Sequence, residues 1–186
     1  MRITTAPTTR TSGGPENRGL ALELLRCMWR AQEAGTSVPR TNAASAVVSE
    51  MFAENSEVLR KIIAEHGWPG HSLVGERAAQ AAWYIAQHCS DSALQDRALC
   101  LMEEAVHKAD VNPEHYALLA DRVCFNRRQS QRFGTLYVPD SDGRLVLYQV
   151  REAARLDDRR RALGLGPHGE YEAALNKWDA RFNSRP

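Results

Sequence analysis

Two histidines beside a forced break in the chain offer the clearest candidate chemistry in this sequence. The segment EHGWPGH contains the first of them, and His88 follows near the end of the next predicted helix. Imidazole changes its charge near neutral pH, so such a pair can accept and return protons in a reaction. Gly67 and Pro69 are expected to end the preceding helix at His66. The sequence therefore predicts a turn that places His66 and Trp68 against His88.

His88 is the stronger candidate for a general base. It continues an apolar series at helical spacing, formed by Val74, Ala78, Ala81 and Ile85. This spacing predicts that His88 lies on a buried helix face, where burial lowers the pKa of imidazole and favours the neutral form. Two structural interpretations stay open. Such a histidine commonly bonds to backbone inside a core, and His66 would cap the end of its helix.

Asp121 and Arg122 are neighbours on a predicted helix, so their side chains point about 100° apart, towards different partners. Asp121 is expected to orient a catalytic histidine. Arg122 is expected to hold a carboxylate or phosphate through two hydrogen bonds. The alternative for both is a structural salt bridge.

The segment QRFGT, at residues 131–135, opens a predicted hairpin. Gln131 and Thr135 offer uncharged hydrogen-bonding groups, and a glycine between them permits close approach of a ligand. We therefore expect Gln131 and Thr135 to contact substrate, and a simple β-bulge is the alternative.

Cofactor and metal motifs are missing from the sequence. The histidine spacing matches no zinc pattern, and there is no glycine-rich phosphate loop or nucleophile elbow. We expect no metal and no cofactor, although His66, His88 and a carboxylate would still suffice to hold an ion.

The elements that must position these residues are mostly helices. Apolar periodicity predicts helices at about 18–34, 43–66, 72–89, 93–108, 114–126, 151–163 and 169–182. Val47, Met51, Val58 and Ile62 are expected to form the apolar stripe of the second helix, and Tyr116, Leu119, Ala120 and Val123 that of the fifth. Ser72 is expected to cap the third helix. Two β-type runs around PDSDG predict one β-hairpin at about 134–148. The expected fold is mainly α, a single-domain helical bundle over residues 17–186 that follows a disordered arm at residues 1–16.

Length, composition and charge limit the classes of function that this protein can have. The chain has 186 residues, 43% hydrophobic content and a formal net charge of +1, with no apolar run that approaches a membrane span. Basic clusters lack interleaved aromatic residues, so we expect neither nucleic acid nor a membrane as partner. Four scattered cysteines indicate reduced thiols and a cytoplasmic protein. The oligomeric state is left open.

Six segments follow one another along the chain: IIAEHGWPG (62–70), SLVGE (72–76), AAWYIAQH (81–88), LADRV (119–123), QRFGT (131–135) and DDRRRALGL (157–165). Together they resemble a bacterial family known as domain of unknown function 6624, over roughly residues 50–175. The resemblance implies no established reaction. It implies one pocket, built from His66, Trp68, His88, Asp121, Arg122, Gln131, Gly134 and Thr135.

Three positions depart from the family's usual pattern. Where the family usually reads QHAD, this chain reads QHCSD at residues 87–91, so Ser90 stands in place of the acid, which is either displaced to Asp91 or absent. Leu136 stands where the family has glutamine after Thr135. Ala31 stands where relatives tend to carry an acid in the first helix. If the replaced side chains contact substrate in relatives, this protein has altered specificity or weakened activity.

We therefore expect a small enzyme that uses metal-independent histidine acid/base chemistry on a polar small molecule or peptide-derived substrate. Hydrolysis, cyclisation and elimination all fit. The alternatives are a non-catalytic binding or accessory protein for such molecules and, third, a metalloprotein.

Overall fold

The computed structural model describes residues 15–37 and 42–183. In this part of the chain the helices are α1 (Arg18–Ser37), α2 (Asn42–His66), α3 (His71–Val74), α4 (Glu76–His88), α5 (Ser92–His107), α6 (Pro113–Asn126), α7 (Leu156–Ala162) and α8 (His168–Asn183). The strands are β1 (Tyr137–Pro139) and β2 (Leu145–Leu147), and a 3-10 turn (Ala153–Arg155) precedes α7. Of the predicted disordered arm, only Pro15 and Glu16 lie within the described residues.

The prediction of a mainly α fold with one hairpin is confirmed. β1 and β2 pair antiparallel, with Val138 opposite Val146, inside the predicted range. The apolar face predicted for the helix before the hairpin is also confirmed, since Tyr116, Leu119, Ala120 and Val123 are all buried.

Alanine-rich α4 lies at the centre of the fold and contacts α1, α2, α3, α5 and α6. Its buried face consists of Ala78, Ala79, Ala81, Ala82, Ile85 and Ala86. Short alanine side chains let neighbouring helices approach closely on several sides. This position makes α4 the element that fixes where the candidate residues lie.

Three details of the predicted helices are wrong. The helix expected from residue 72 to 89 is two helices, because Gly75 adopts φ +79° between α3 and α4. Ser72 caps neither helix, since its backbone N–H and its hydroxyl both donate to the Asp110 carboxylate, at 2.6 and 2.9 Å. Val47, predicted for the core stripe of α2, is 61% exposed, whereas Met51 and Ile62 are buried.

The described helices include none that is both long enough and apolar enough to cross a membrane.

Gly134 allows the start of α8 to pack against the segment before β1. Its φ is +70°, and the Nε2 atom of His168 lies 3.0 Å from its carbonyl oxygen. A Cβ atom added at Gly134 would lie 2.7 Å from Cδ2 of His168. Both the backbone conformation and the close contact therefore require glycine at this position.

We expect Gly134→Ala to lower the free energy of unfolding by about 2–4 kcal/mol, since left-handed backbone strain adds to overpacking. Gly143→Ala is the matched control, because Gly143 has φ +80° with no atom within 4 Å of an added Cβ. In Gly143→Ala only the backbone strain remains, and it should lower the free energy of unfolding by about 1–2 kcal/mol. Urea denaturation followed by circular dichroism measures both, and equal losses would show that the His168 contact contributes nothing.

Candidate functional site

His88 is the last residue of α4, and its ring forms a cluster with two aromatic side chains. The centroid distances are 4.4 Å to Tyr84 of the same helix and 5.6 Å to Phe52 of α2. The residue remains exposed, so the prediction that it lies on the buried face is wrong. The buried face of α4 ends at Ala86, and His88 lies on the flank of the helix that faces α2.

Arg122 of α6 lines the same cleft as His88. The cleft has a volume of about 600 Å³ and is lined by Gln87, His88, Cys89, Ser90, Ser92, Gln95, Arg122 and Asn126. Among these described residues none carries a carboxylate. Arg122 is half-buried, and its Nε atom is covered without a hydrogen-bond partner in the described part of the chain. The cleft therefore combines amide and hydroxyl groups with a cation that has no ion-pair partner in the described part of the chain.

The electrostatics of this cleft favour a neutral imidazole. Although the residue as a whole is exposed, Phe52 and Tyr84 pack against its ring, and this local loss of water lowers the pKa of His88 below its ordinary value. The nearby Arg122 guanidinium lowers the pKa further. A neutral imidazole has one nitrogen that accepts a proton and one that donates a hydrogen bond. An anion bound between the two side chains would reverse the effect of Arg122 and favour the protonated ring.

His66 and Trp68 do not lie against His88, contrary to the prediction. Phe52 contacts His88, and His66 is fourteen residues further along α2, which corresponds to about 21 Å along the helix axis. His66 is instead exposed, and its Nε2 atom lies 3.6 Å from Oε2 of Glu65. Trp68 is 8% exposed and belongs to the hydrophobic core. The turn at Gly67 and Pro69 thus seats an indole in the core.

Asp121 is fully buried and organises the segment that leads into the hairpin. One carboxylate oxygen accepts the backbone N–H groups of Arg132 and Phe133, at 2.7 and 2.9 Å. The other accepts the N–H and the hydroxyl of Thr135, at 2.9 and 2.8 Å. Asp121 therefore points away from Arg122, as their adjacency on a helix predicts, and its oxygens bind this segment and no histidine of the described chain.

Gln131 and Thr135 use their side chains inside the same segment. The Gln131 amide donates to the carbonyls of Leu136 and Tyr148, at 3.0 and 2.8 Å, and accepts the N–H of Leu136 at 2.8 Å. Gln131 is fully buried, and its hydrogen bonds connect the two sides of the hairpin base. Thr135 lines a separate cleft of about 320 Å³ with Arg160 and Tyr171. The structure thus brings His88 and Arg122 together and gathers Asp121, Gln131 and Thr135 elsewhere.

A second cleft, which the sequence did not reveal, lies at the opposite ends of α4 and α6. It has a volume of about 660 Å³, and its polar lining is His71, Glu76, Arg77, Gln80, Asn112 and His115. The His115 ring stacks on Trp83, with centroids 4.2 Å apart and planes 5° apart. Burial, with a smaller contribution from His71, lowers the pKa of His115 to about 4. The overlooked signal is that His115 precedes Arg122 by two helical turns and so shares its face of α6.

The described residues contain no group of three or more histidine, cysteine, aspartate or glutamate side chains placed to hold a metal ion. The four cysteines are free thiols.

Comparisons with known proteins agree with the resemblance seen in the sequence. No curated protein and no solved structure matches the chain significantly. A family model, described as a family of unknown function (DUF6624), matches residues 26–180. This match covers most of the chain and includes both clefts and the Asp121 segment. The protein therefore belongs to the family of unknown function DUF6624.

Proposed function

We propose that the His88–Arg122 cleft binds a polar small molecule or peptide-derived substrate through an anionic group, and that His88 transfers protons on it. One observation carries the proposal: Arg122, which has no carboxylate partner among the described residues, shares one cleft with an imidazole whose pKa is lowered. Arginine binds carboxylates and phosphates through two parallel hydrogen bonds. Neutral imidazole is the usual general base at neutral pH.

The two side chains would divide the chemistry between them. Arg122 would orient the anionic group and stabilise negative charge that develops on the substrate. His88 would accept a proton from the substrate or from a water molecule, and the imidazolium would then return it to the leaving atom. Hydrolysis, cyclisation and elimination all use this cycle, and none of them requires a metal at these two residues.

Proton transfer fits the cleft better than covalent catalysis. The hydroxyls of Ser90 and Ser92 line it, yet neither is hydrogen-bonded to His88 in the described structure. The thiol of Cys89 is engaged with the backbone of Asp91, at 3.3 Å to its carbonyl oxygen. A nucleophile is ordinarily activated by an adjacent base.

A second candidate, a binding or accessory protein without catalysis, is favoured by one observation. A catalytic imidazole is usually oriented by a third group, and Asp121, predicted for that role, binds the hairpin segment instead. In this case Arg122 and the surrounding amides would bind the same class of ligand, and no bond of the ligand would change.

The proposal places the protein in the cytoplasm, with a small molecule or peptide as its partner. Four free cysteines fit a reducing compartment. A formal net charge of +1 gives no general attraction to nucleic acids or anionic membranes.

Arg122→Met tests the electrostatic basis of the site. Because the guanidinium lowers the pKa of His88, removing it should raise that pKa towards the ordinary value. Acetate added to the wild-type protein should raise the pKa of His88 as well, and this effect should be largely lost in Arg122→Met. NMR titration of the histidine ring signals, with His88→Gln used to assign the resonance, measures both changes.

Arg97→Met is the matched control, because Arg97 is an exposed arginine of α5 that does not line the cleft. It should leave the His88 titration unchanged, with and without acetate. An acetate response of the same size in Arg122→Met and the wild type would contradict the proposed anion site.

A further inference from the structure

Arg160 of α7 is a buried cation that forms no ion pair with a carboxylate in the described part of the chain. The residue is 4% exposed. Its Nε atom donates to the carbonyl of Gly166 at 2.7 Å, and its Nη1 atom donates to that of Phe133 at 2.8 Å. Its Cζ atom lies 5.1 Å from the centre of the Tyr171 ring. These partners carry no negative charge, and a buried cation without a counter-charge is unfavourable, so an anion at this place would be stabilised.

The remaining nitrogen of Arg160, Nη2, is the atom that such an anion can reach. Nη2 has no hydrogen-bond partner in the described structure, yet it is not one of the described atoms that protein covers completely without giving them a partner. Nη2 therefore keeps contact with solvent. Arg160 lines the cleft of about 320 Å³ that also includes Thr135 and Tyr171, and we call it the Arg160 cleft. An anionic group inside this cleft can accept a hydrogen bond from Nη2.

Two carboxylates line the same cleft. Glu114 lies in the first turn of α6 and Glu170 in the first turn of α8, and both are exposed. Burial raises the pKa of the Tyr171 phenol, Glu114 raises it further, and Arg160 opposes the change. The phenol thus lies within the electrostatic influence of both charges. The lining combines one partly buried positive charge with two exposed negative charges.

We propose that the Arg160 cleft binds a free α-amino acid with a basic side chain. The carboxylate of the ligand accepts a hydrogen bond from Nη2 of Arg160, and its two ammonium groups face Glu114 and Glu170. One negative and two positive charges on the ligand then complement the charges of the lining. This site is separate from the His88–Arg122 cleft, so the inference goes beyond the proposed function.

The size and the remaining lining of the cleft suit this class of ligand. A volume of about 320 Å³ lies at the lower end of the range for small-molecule sites. Leu165, Pro167 and the Tyr171 ring provide apolar surface for an aliphatic side chain, and glycines at 164 and 166 permit close approach to the backbone. A simple anion would be repelled by the two glutamates, so the cleft discriminates against acetate or phosphate.

NMR titration of the tyrosine ring signals with three small molecules tests this inference. The probes are lysine, norleucine, which lacks the side-chain ammonium, and cadaverine, which lacks the carboxylate. Lysine should shift the ring signal of Tyr171, which Tyr171→Phe identifies. Norleucine and cadaverine should each bind at least about tenfold more weakly, because each has lost one charged contact. Equal affinity for the three molecules, or no shift of Tyr171, would overturn the inference.

A double variant, Glu114→Gln with Glu170→Gln, tests the two carboxylates and leaves buried Arg160 in place. It should weaken lysine binding by about tenfold or more and remove the advantage of lysine over norleucine. The matched control is Glu23→Gln with Glu104→Gln, because both of these glutamates are exposed and neither lines the cleft. The control should bind lysine as the wild type does. Equal lysine affinity in the two double variants would contradict the proposed ligand.

Arg122→Met separates this inference from the proposed function. It should leave the response of Tyr171 to lysine unchanged, although it should remove the response of His88 to acetate. Loss of the Tyr171 response in Arg122→Met would overturn the Arg160 cleft as the lysine site and would leave the acetate result intact. Conversely, an acetate response that survives in Arg122→Met would overturn the proposed anion site alone.

Discussion

Asp121→Ala is expected to lower the free energy of unfolding by about 3–5 kcal/mol, because several backbone and hydroxyl donors lose one buried acceptor at the same time. The fully buried carboxylate accepts hydrogen bonds from four donor groups, the backbone N–H groups of Arg132, Phe133 and Thr135 and the Thr135 hydroxyl. Alanine leaves these donors without an acceptor. Each covered N–H group that loses its partner costs about 1–3 kcal/mol.

Two milder variants calibrate this loss. Thr135→Val removes a single hydroxyl bond to Asp121, at 2.8 Å, and should cost about 1 kcal/mol. Asp158→Ala removes an exposed ion pair with Arg161 and should change stability by less than about 0.5 kcal/mol. Urea denaturation of the four proteins measures the series. If Asp121→Ala were as stable as Asp158→Ala, the structural role of Asp121 would be refuted and its predicted catalytic role would regain support.

His88→Gln is expected to reduce turnover by a factor of about 10²–10⁴, the usual contribution of a positioned proton-transfer group. The folded state should be little affected, because His88 is exposed and has only ring contacts with Phe52 and Tyr84 among the described residues. The free energy of unfolding should change by less than about 0.5 kcal/mol, as is common for exposed positions. Loss of activity without loss of stability would show that His88 takes part in the reaction.

The substrate for this measurement comes from an untargeted assay. Wild-type protein and variants are incubated with a mixture of short peptides and polar metabolites, and mass spectrometry identifies the compounds that only active protein consumes. His66→Gln is the control, since it changes the other candidate histidine at the far end of α2 and should retain full activity. Consumption by His88→Gln at the wild-type rate would refute the proposed base. Ligand binding without consumption by the wild type would favour the binding protein instead.

Local sequence patterns predicted the elements well, because helix and strand periodicity reflects which side of an element is buried. The α6 stripe from Tyr116 to Val123 and the hairpin around residues 137–147 lie as expected. The break at Gly75 was missed, since a single glycine among helix-forming residues gives only a weak signal of helix termination. Val47 was misplaced because an apolar residue at helical spacing need not have a neighbouring element to cover it.

The candidate site was only partly predictable. The sequence identified His88 and Arg122 as chemically capable, and it predicted that Asp121 and Arg122 would serve different partners. It could not predict that His88 contacts α2 at Phe52, about 21 Å along the helix axis from His66. The point where α2 and α4 meet is set by tertiary packing. Nor could the sequence predict the His115 cleft, which forms from residues on four separate helices.

The sequence alone thus determined the family, the helical class and the side chains capable of acid/base chemistry and anion binding, because composition and local periodicity carry that information. The tertiary structure decided which of those side chains share a cleft. It paired His88 with Arg122, committed Asp121 and Gln131 to holding the hairpin segment, and stacked His115 of α6 on Trp83 of α4. These assignments depend on contacts between residues far apart in the chain, and such contacts exist only once the helices have packed around α4.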